Sequence, residues 1–389
     1  MGTYISSSGN RFYVGVEPAY GRVGAVTAAN RFPGVKLAAR QWFEQRERKD
    51  KSGSRTFSGL PGGLRRRAEY SVRTYMTSWA SDGSEPGYGP FFRAGLGGAP
   101  MHWPGGVAAN GTTNSRIVFN APHGLSPGQA VTVNGEIRFV AGVVDAQTVQ
   151  LSAPFTIAVE GAQLGATVTY PLARELPSVS IFDYWDPAEA IHRIVAGAAV
   201  DRLRIRVNGD FHEFEFSGPA ADVIDSASFT SGEGDLTAFP GEPELAVGNF
   251  SVVPGNLGQI WLGPGSEPFF TVTEAEIEVD NDVELRDREF GAAVAKGINP
   301  GRRSVKASVS LYALTDEATQ TLYQAARQRS PISATLQLGQ QAGQLCGVYL
   351  KSLIPEPPEY DDGGRRLEWH FKNCRAQGVI DDEIFVAFG

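Results

Sequence analysis

Cysteine is nearly absent: Cys346 and Cys374 are the only two in 389 residues. Two thiols cannot supply the set of bridges that staples small secreted domains, so the fold must rest on burial and hydrogen bonding. Both are expected as buried thiols. Histidine is almost as scarce, and His102, His123, His192, His212 and His370 are scattered along the chain. Only His370 and Cys374 lie four apart, a lone pair with no second pair to complete a four-ligand zinc set. No apolar run approaches the roughly 20 residues of a membrane span. Met1-Gly2-Thr3-Tyr4 leads into a serine-rich stretch without the basic and apolar regions of a secretory signal, so folding in a cytoplasm is expected. An excess of basic charge is missing too. The net charge of -8 argues against a general nucleic-acid binder, which needs Lys and Arg to displace counterions from phosphate. It leaves room for a surface past which DNA slides without sticking.

Glycine and proline are abundant. Gly (46) and Pro (24) together make about 18% of the chain, against about 12% in average usage. They are spread along its whole length, which suits many short strands joined by turns and predicts a mainly β fold. A faint internal repeat organises these strands. From Val35 and again from Val272 the chain runs through a period-2 strand and then a charged stretch containing Lys49-Asp50 or Arg286-Asp287. A glycine-rich turn comes next, Gly59-Leu-Pro-Gly-Gly63 or Gly297-Ile-Asn-Pro-Gly301. A basic cluster and a second alternating strand then end at Tyr75 or Tyr312. Opening valine and turn glycine are 24 residues apart in one half and 25 in the other. Two β-hairpins of matched length, each with a long polar loop, are expected.

Beyond these hairpins the halves differ. Thr315-Asp-Glu-Ala predicts a helix start with Thr315 as N-cap. Leu322, Ala325, Ala326 and Arg329 continue it, Ser330-Pro331 stops it, and a strand over Ile332–Leu338 comes next. The matching place in the first half holds Phe91-Phe92-Arg-Ala-Gly-Leu96, which is shorter and less regular. Residues 1–30, rich in Gly, Ser and Ala with Tyr4, Phe12, Tyr13 and Tyr20, predict an extended arm that a neighbouring subunit could hold. Between the halves, strands at Ile117–Phe119, Ala130–Val133, Phe139–Val143, Thr148–Leu151 and Thr167–Tyr170 predict a small all-β module over 113–171. The expected divisions are an arm 1–30, a first domain 31–112, the module 113–171 and a second domain 172–389. Asn208-Gly209 signals a two-residue hairpin turn. That turn would set Arg204 opposite Glu213, Arg202 opposite Glu215 and Leu203 opposite Phe214.

Chemistry is hard to find. There is no nucleophile elbow, no phosphate-binding P-loop and no dinucleotide fingerprint, so no catalytic residue, cofactor or metal is expected. Lys372 and His370 share a strand face with Cys374, which is ordinary strand patterning. The acidic run Glu274, Glu276, Glu278, Asp280 and Asp282 alternates with Ala275, Ile277 and Val279. It lacks the glycine and terminal glutamate of a calcium loop. It reads either as a solvated face or as an acidic wall facing a channel. The loops 82–90 and 355–364 read as connectors, or as acidic loops that could hold a sugar.

The order strand, charged loop, glycine-rich turn, basic strand, helix, strand resembles the tail tube proteins of long-tailed phages. It is similar above all to the larger variety with two tube domains fused in one chain. The carrying residues are Arg48-Lys49-Asp50 through Arg55-Thr56-Phe57, Gly59 through Gly63, Gly297 through Arg303, and Thr315 to Leu338. The resemblance implies two related β-sandwich or barrel domains with a flanking helix, with the module as an outer decoration. It implies a structural virion protein, assembled in the host cytoplasm, that forms trimeric rings with pseudo-sixfold symmetry stacked into a tube. The partners it implies are copies of itself, the tape-measure protein, tail terminator and distal tail proteins, and genomic double-stranded DNA passing through the bore, with no membrane. The loops carrying Arg46, Arg48, Lys49, Asp50, Arg55 and Phe57, and Glu284, Arg286, Asp287, Arg288 and Phe290, would touch the next ring. The strand Glu274–Asp282 would line the lumen. A distal-tail or baseplate component would share this fold. A carbohydrate-binding β-sandwich, with Trp103, Trp185 or Trp261 as its stacking platform, is the reading from another class.

Overall fold

A computed structural model describes residues 4–44, 51, 53–56, 59, 65–79, 82–245, 250–263, 265 and 267–389. The fold is mainly β, with two α-helices among the described residues. Seven strands form its frame: β1 (Gly34–Phe43), β2 (Arg66–Tyr75), β3 (Arg202–Val207), β4 (Glu213–Ala220), β5 (Val272–Asp280), β6 (Ser304–Tyr312) and β7 (Glu368–Ala376). They lie side by side in the order β1-β2-β4-β3-β5-β6-β7, every pair antiparallel. Both expected hairpins are present, β1 with β2 and β5 with β6, and the shorter hairpin β3–β4 joins them into one sheet.

Strict alternation gives this sheet two unlike faces. One row across it reads Leu37, Val72, Phe216, Leu203, Val279 and Val305. The next row reads Lys36, Arg73, Glu215, Arg204, Glu278, Lys306 and Arg375. The first kind of row packs into the main hydrophobic core, and the second stays on the polar side. Because the side-chain period is two, a one-residue slip anywhere would exchange the faces.

The β3–β4 register departs from expectation by two residues. Arg204 faces Glu215, Arg202 faces Ser217 and Leu203 faces Phe216. Asn208 does adopt the left-handed conformation (φ 66°) that its turn signal called for. However, its side chain donates to the Thr273 carbonyl, and Phe211 leaves the hairpin to bridge Pro254. Gly255 lies so close that a Cβ there would come 2.1 Å from the Gly209 oxygen. Contacts with a third segment therefore widen the turn. The slip is even, so each face keeps its character.

Beyond β7 the sheet continues through Cys346–Ile354, Phe385–Phe388, Thr167–Tyr170 and Met101–Trp103, with Ile332–Leu338 and Gly258–Leu262 branching from Cys346–Ile354. Helix α1 (Gly89–Leu96) is buried on nearly all sides. Phe91 stacks on Phe216 at 4.6 Å, and Phe92 meets Phe214 and Phe388 at 5.1 Å each. Gly97, at φ 93°, ends it. Helix α2 (Glu317–Gln328) starts one residue later than expected: Asp316 is the N-cap, accepting from the Thr319 amide at 2.7 Å. A carboxylate there answers both the orphan amides and the helix dipole. Leu322 and Ala326 enter the main core, and Arg329 caps the end at φ 52°.

The expected arm contains a strand. Asn10–Val16 pairs with Val179–Trp185 and Arg31–Phe32 in a five-stranded sheet completed by Arg193–Ala198 and Asp222–Asp225. Phe12, Tyr13 and Val14 are buried there. Glu17 is pinned by Ser178 and Ser180 hydroxyls and by the Gly21 and Gly197 amides. Burial still raises its pKa above the usual carboxylate value.

The strands Arg116–Val118, Ala130–Val133, Glu136–Asp145 and Thr148–Leu151 form a separate four-stranded sheet. One side covers its own core around Trp103, Ile117 and Val149. The other packs Ala130, Ile137 and Phe139 on Leu345, Tyr349, Phe385 and Ala387 of the large sheet. Thr167–Tyr170 runs in the large sheet itself.

Candidate functional site

The polar face of the seven-strand sheet gathers the charges singled out on the hairpin Arg202–Phe216 and on the acidic run as far as Asp280. On β3, Arg204 and Arg206 stand between carboxylates on both neighbouring strands, and Arg202 stands between Asp280 and Ser217. Arg204 Nε lies 2.7 Å from Glu278, Arg206 Nε 3.2 Å from Glu276, and Arg202 Nη2 3.5 Å from Asp280. Arg206 also reaches Glu215 across the other side at 3.4 Å. The acidic run is thus half of a ladder whose other half is basic. Glu274 is exposed beside Ser310 and has no ion-pair partner among the described residues. The alternation ends at Asp280. Buried Asn281 turns inward and donates to the Gly95 and Val200 carbonyls at 2.9 and 3.0 Å. Asp282, at φ 51°, is off the strand.

The sequence signal for this ladder was partial. Arg and Glu alternate along β3 and β4, but the third strand comes from 70 residues downstream, and its register cannot be read locally. Exposed cross-strand pairs contribute only about 0.2–1 kcal/mol each. The ladder therefore specifies register and surface more than stability.

The two ends of this sheet differ. At the end where β1 stops and β2 begins lie both long charged loops. Arg46, Arg48, Lys49, Asp50 and Phe57 fall outside the described residues, and Arg55 is exposed. In the second loop Val283–Leu285 pairs with Ile298–Pro300, which sets Glu284 opposite Asn299. Past this ladder Arg286 pairs with Glu289, Asp287 is half-buried, Arg288 is exposed and Phe290 stands fully in solvent. The loops touch: Arg65 Nη2 donates to the Arg288 and Glu289 carbonyls at 3.3 Å each, and the Arg66 amide to Ala293 at 2.8 Å. At the opposite end Phe211, Phe270, Leu314 and Leu367 are exposed.

Elsewhere the described residues offer little chemistry. Both thiols are buried, as expected, and burial raises their pKa values, which disfavours the nucleophilic thiolate. His212 is buried too, its pKa lowered by desolvation, with Nε2 2.8 Å from the Leu257 carbonyl. His370 bonds Ser310 at 2.8 Å. No group of three or more His, Cys, Asp or Glu among the described residues could hold a metal ion. No described helix is long and apolar enough to cross a membrane. Trp103 and Trp261 are buried and cannot serve as sugar platforms, while Trp185 is half-buried.

One residue escaped the sequence reading altogether. Arg138 is fully buried between the four-stranded sheet and the large one, 3.9 Å over the Trp261 ring and 2.7 Å from Glu136. It also donates to Gln337 at 2.7 Å and Gln259 at 3.0 Å. An arginine inside Glu136-Ile-Arg-Phe139 resembles any surface position of a strand, so nothing local marks it as buried.

Comparison with curated proteins returns no match. The profile of the phage tail tube protein family, in contrast, matches residues 8–372, nearly the whole chain, and the protein belongs to that family.

Proposed function

We propose that this protein is the repeating subunit of a phage tail tube: rings of it stack around a bore through which the genome leaves. Membership of the tail tube family gives the structural role and the virion location. The observation that carries the finer reading is the continuous seven-strand sheet, apolar on one face and charged on the other. A sheet of this kind is a segment of barrel wall. Among the described residues β1 pairs only with β2, and an unpaired edge invites a neighbouring chain. Two long hairpins per chain, in domains 31–112 and 172–389 with the module 113–171 outside except for its strand Thr167–Tyr170 in the large sheet, would make each chain two places in a six-place ring. Three chains would then close it.

In this reading the polar face, including Glu274, Glu276, Glu278 and Asp280, lines the bore. The arginines of β3 are already engaged by carboxylates, so that strand offers no free guanidinium to phosphates. In the row through Arg204, the cations left without an ion-pair partner among the described residues (Lys36, Arg73, Lys306 and Arg375) stand on the strands to either side of it. The charged loops, with Arg46, Arg48, Lys49, Asp50, Arg55 and Phe57 on one and Glu284 through Phe290 on the other, reach the next ring. The tape-measure protein would occupy the bore first, and terminator and distal tail proteins would close the ends. The subunit works by assembling, without a catalytic step.

Negative-stain microscopy of the purified protein, with native mass spectrometry of any rings, tests this. Tubes and a trimeric ring are expected. Monodisperse particles under all conditions would overturn the proposal, and a structure of the tube with Glu274–Asp280 facing outward would overturn the assignment of the bore. Capping of tube ends without polymerisation would favour a distal-tail component instead.

A further inference from the structure

The unlike ends of the sheet carry a more specific inference, one that rests on the tube reading above. The end bearing Phe211 and Phe270 contains a groove of about 240 Å³, with Val207, Ile260, Phe269, Val272 and Leu336 in its lining. A more open depression beside it, lined in part by Leu314 and Leu367, shares Phe270 and Val272 with the groove. Phe270 is 83% exposed at their junction. An apolar recess bordered by exposed aromatic and aliphatic residues marks an interaction site. Arg366 lines the depression, and three carboxylates nearby outnumber it. Glu267 and Glu274 each adjoin a lining residue in sequence, Asp210 lies two residues from Asn208 and His212, and all three are exposed with no ion-pair partner among the described residues.

Phe43 is exposed at the far end of the sheet but is held in the β1–β2 ladder opposite Arg66, and two further exposed apolar groups there, outside the ladder, could fill such a groove on a second copy. One is Val379–Ile380, followed directly by Asp381, Asp382 and Glu383. Those carboxylates are held by Arg303 and Lys351, so this group brings no free cation to the carboxylates beside the groove. The other is Phe290, whose relative exposure of 105% leaves the whole ring in water. Arg288 beside it is exposed and has no ion-pair partner among the described residues, and Arg65 rests on the Arg288 and Glu289 carbonyls. Three guanidiniums (Arg65, Arg286 and Arg288) thus accompany two carboxylates (Asp287 and Glu289) at this tip.

We propose that the groove is the receptor for Phe290 of a second copy, with Arg288 of that copy meeting the carboxylates around it. The occupant and the receptor lie at opposite ends of one sheet, so between copies stacked end to end with the same polarity the contact is not reciprocated. It is heterologous and propagates along the axis. Each contact needs little affinity of its own, because a ring presents several at once.

The test mixes two single variants, Phe290→Cys and Phe270→Cys, under polymerising conditions followed by mild oxidation. Cys346 and Cys374 are buried and do not compete. The expected product is a crosslink joining the two variants, formed only where tubes form. Phe290→Asp should still give rings while raising the concentration needed for tubes about tenfold or more, as expected for losing one buried aromatic anchor. Tubes that assemble with crosslinks only between identical variants, or with none, would overturn the groove assignment and leave the tube intact. Normal tube formation by Phe290→Asp would do the same. Wild-type protein that forms neither rings nor tubes would overturn the parent reading and this contact together.

Discussion

The two long hairpins are built from the same pattern and used differently. β1 and β2 have ten residues each, and β5 and β6 nine each. Both are antiparallel, both turn alternate side chains toward the core (half-buried along the edge strand β1), and both send a long charged loop to the same end of the sheet. Yet β5–β6 is interior, paired on both flanks, while β1 is an edge. The helices after them diverge accordingly. α1 lies inside the protein and is apolar on almost every side, without a side-chain cap. α2 lies on the surface, amphipathic and capped by Asp316. A helix that is buried all round needs no polar face, whereas a surface helix needs one and gains from its cap. Context has therefore rewritten the helix while leaving the hairpin alone. The pattern that survives is the one an assembly surface would require.

The strongest way to break this equivalence is to remove the loops one at a time. Deletion of 46–55 is expected to leave a folded chain, unchanged by circular dichroism, that cannot polymerise. Deletion of 287–292 should have the same effect, because the loops touch each other through Arg65 and Arg66. Electron microscopy decides it: normal tubes from either variant would mean that only one hairpin serves ring-to-ring contact.

Next in size is the packing of the helices. Phe92→Ala should cost about 3–5 kcal/mol and Leu322→Ala about 2–4 kcal/mol in denaturant unfolding of the unassembled protein. The order matters more than the values. Phe92 touches Phe214, Phe216, Tyr170 and Phe388, so its removal opens a cavity that its neighbours cannot close. Leu322 faces the core from a helix with one exposed side, which can settle inward. A smaller effect, about 1 kcal/mol, is expected for Asp316→Ala, which unpins the Thr319 amide at the start of α2. α1 has no equivalent side-chain bond to lose.

Much of this was legible in the sequence because it depends on period and spacing. Val305, Ala307, Val309 and Leu311 alternate with Lys306, Ser308 and Ser310, and only one face of such a strand can be buried. The strand Ile332–Leu338 and the stop at Ser330-Pro331 were legible for the same local reasons. What could not be read depended on partners remote in sequence. Asn10–Val16 sits in a stretch rich in glycine and serine that looks like an arm until Val179–Trp185 pairs with it. The widened β3–β4 turn comes from Thr273 and Pro254, and Arg138 is buried only because Gln337 and Trp261 arrive from 120 residues or more away. The second loop's ladder was hidden behind its charges.

The smallest expected effect tests the polar face. Arg204→Ala removes the central cation of the ladder and leaves Glu215 and Glu278 on either side of it. If water reaches this face, the two carboxylates stay solvated and stability falls by no more than about 1 kcal/mol. A loss of about 3 kcal/mol or more would instead be the signature of carboxylates stranded in a dry environment, incompatible with a water-filled bore. Glu278→Gln is the complementary change. It leaves stability within the same narrow range but frees Arg204 from its 2.7 Å partner. A freed guanidinium in every subunit of a tube is a row of phosphate sites. The variant tube should then retain more DNA than the wild-type tube at low salt and release it as salt rises. Equal retention by both would mean that this ladder does not face the DNA, and the outer surface would then be the place to look for it.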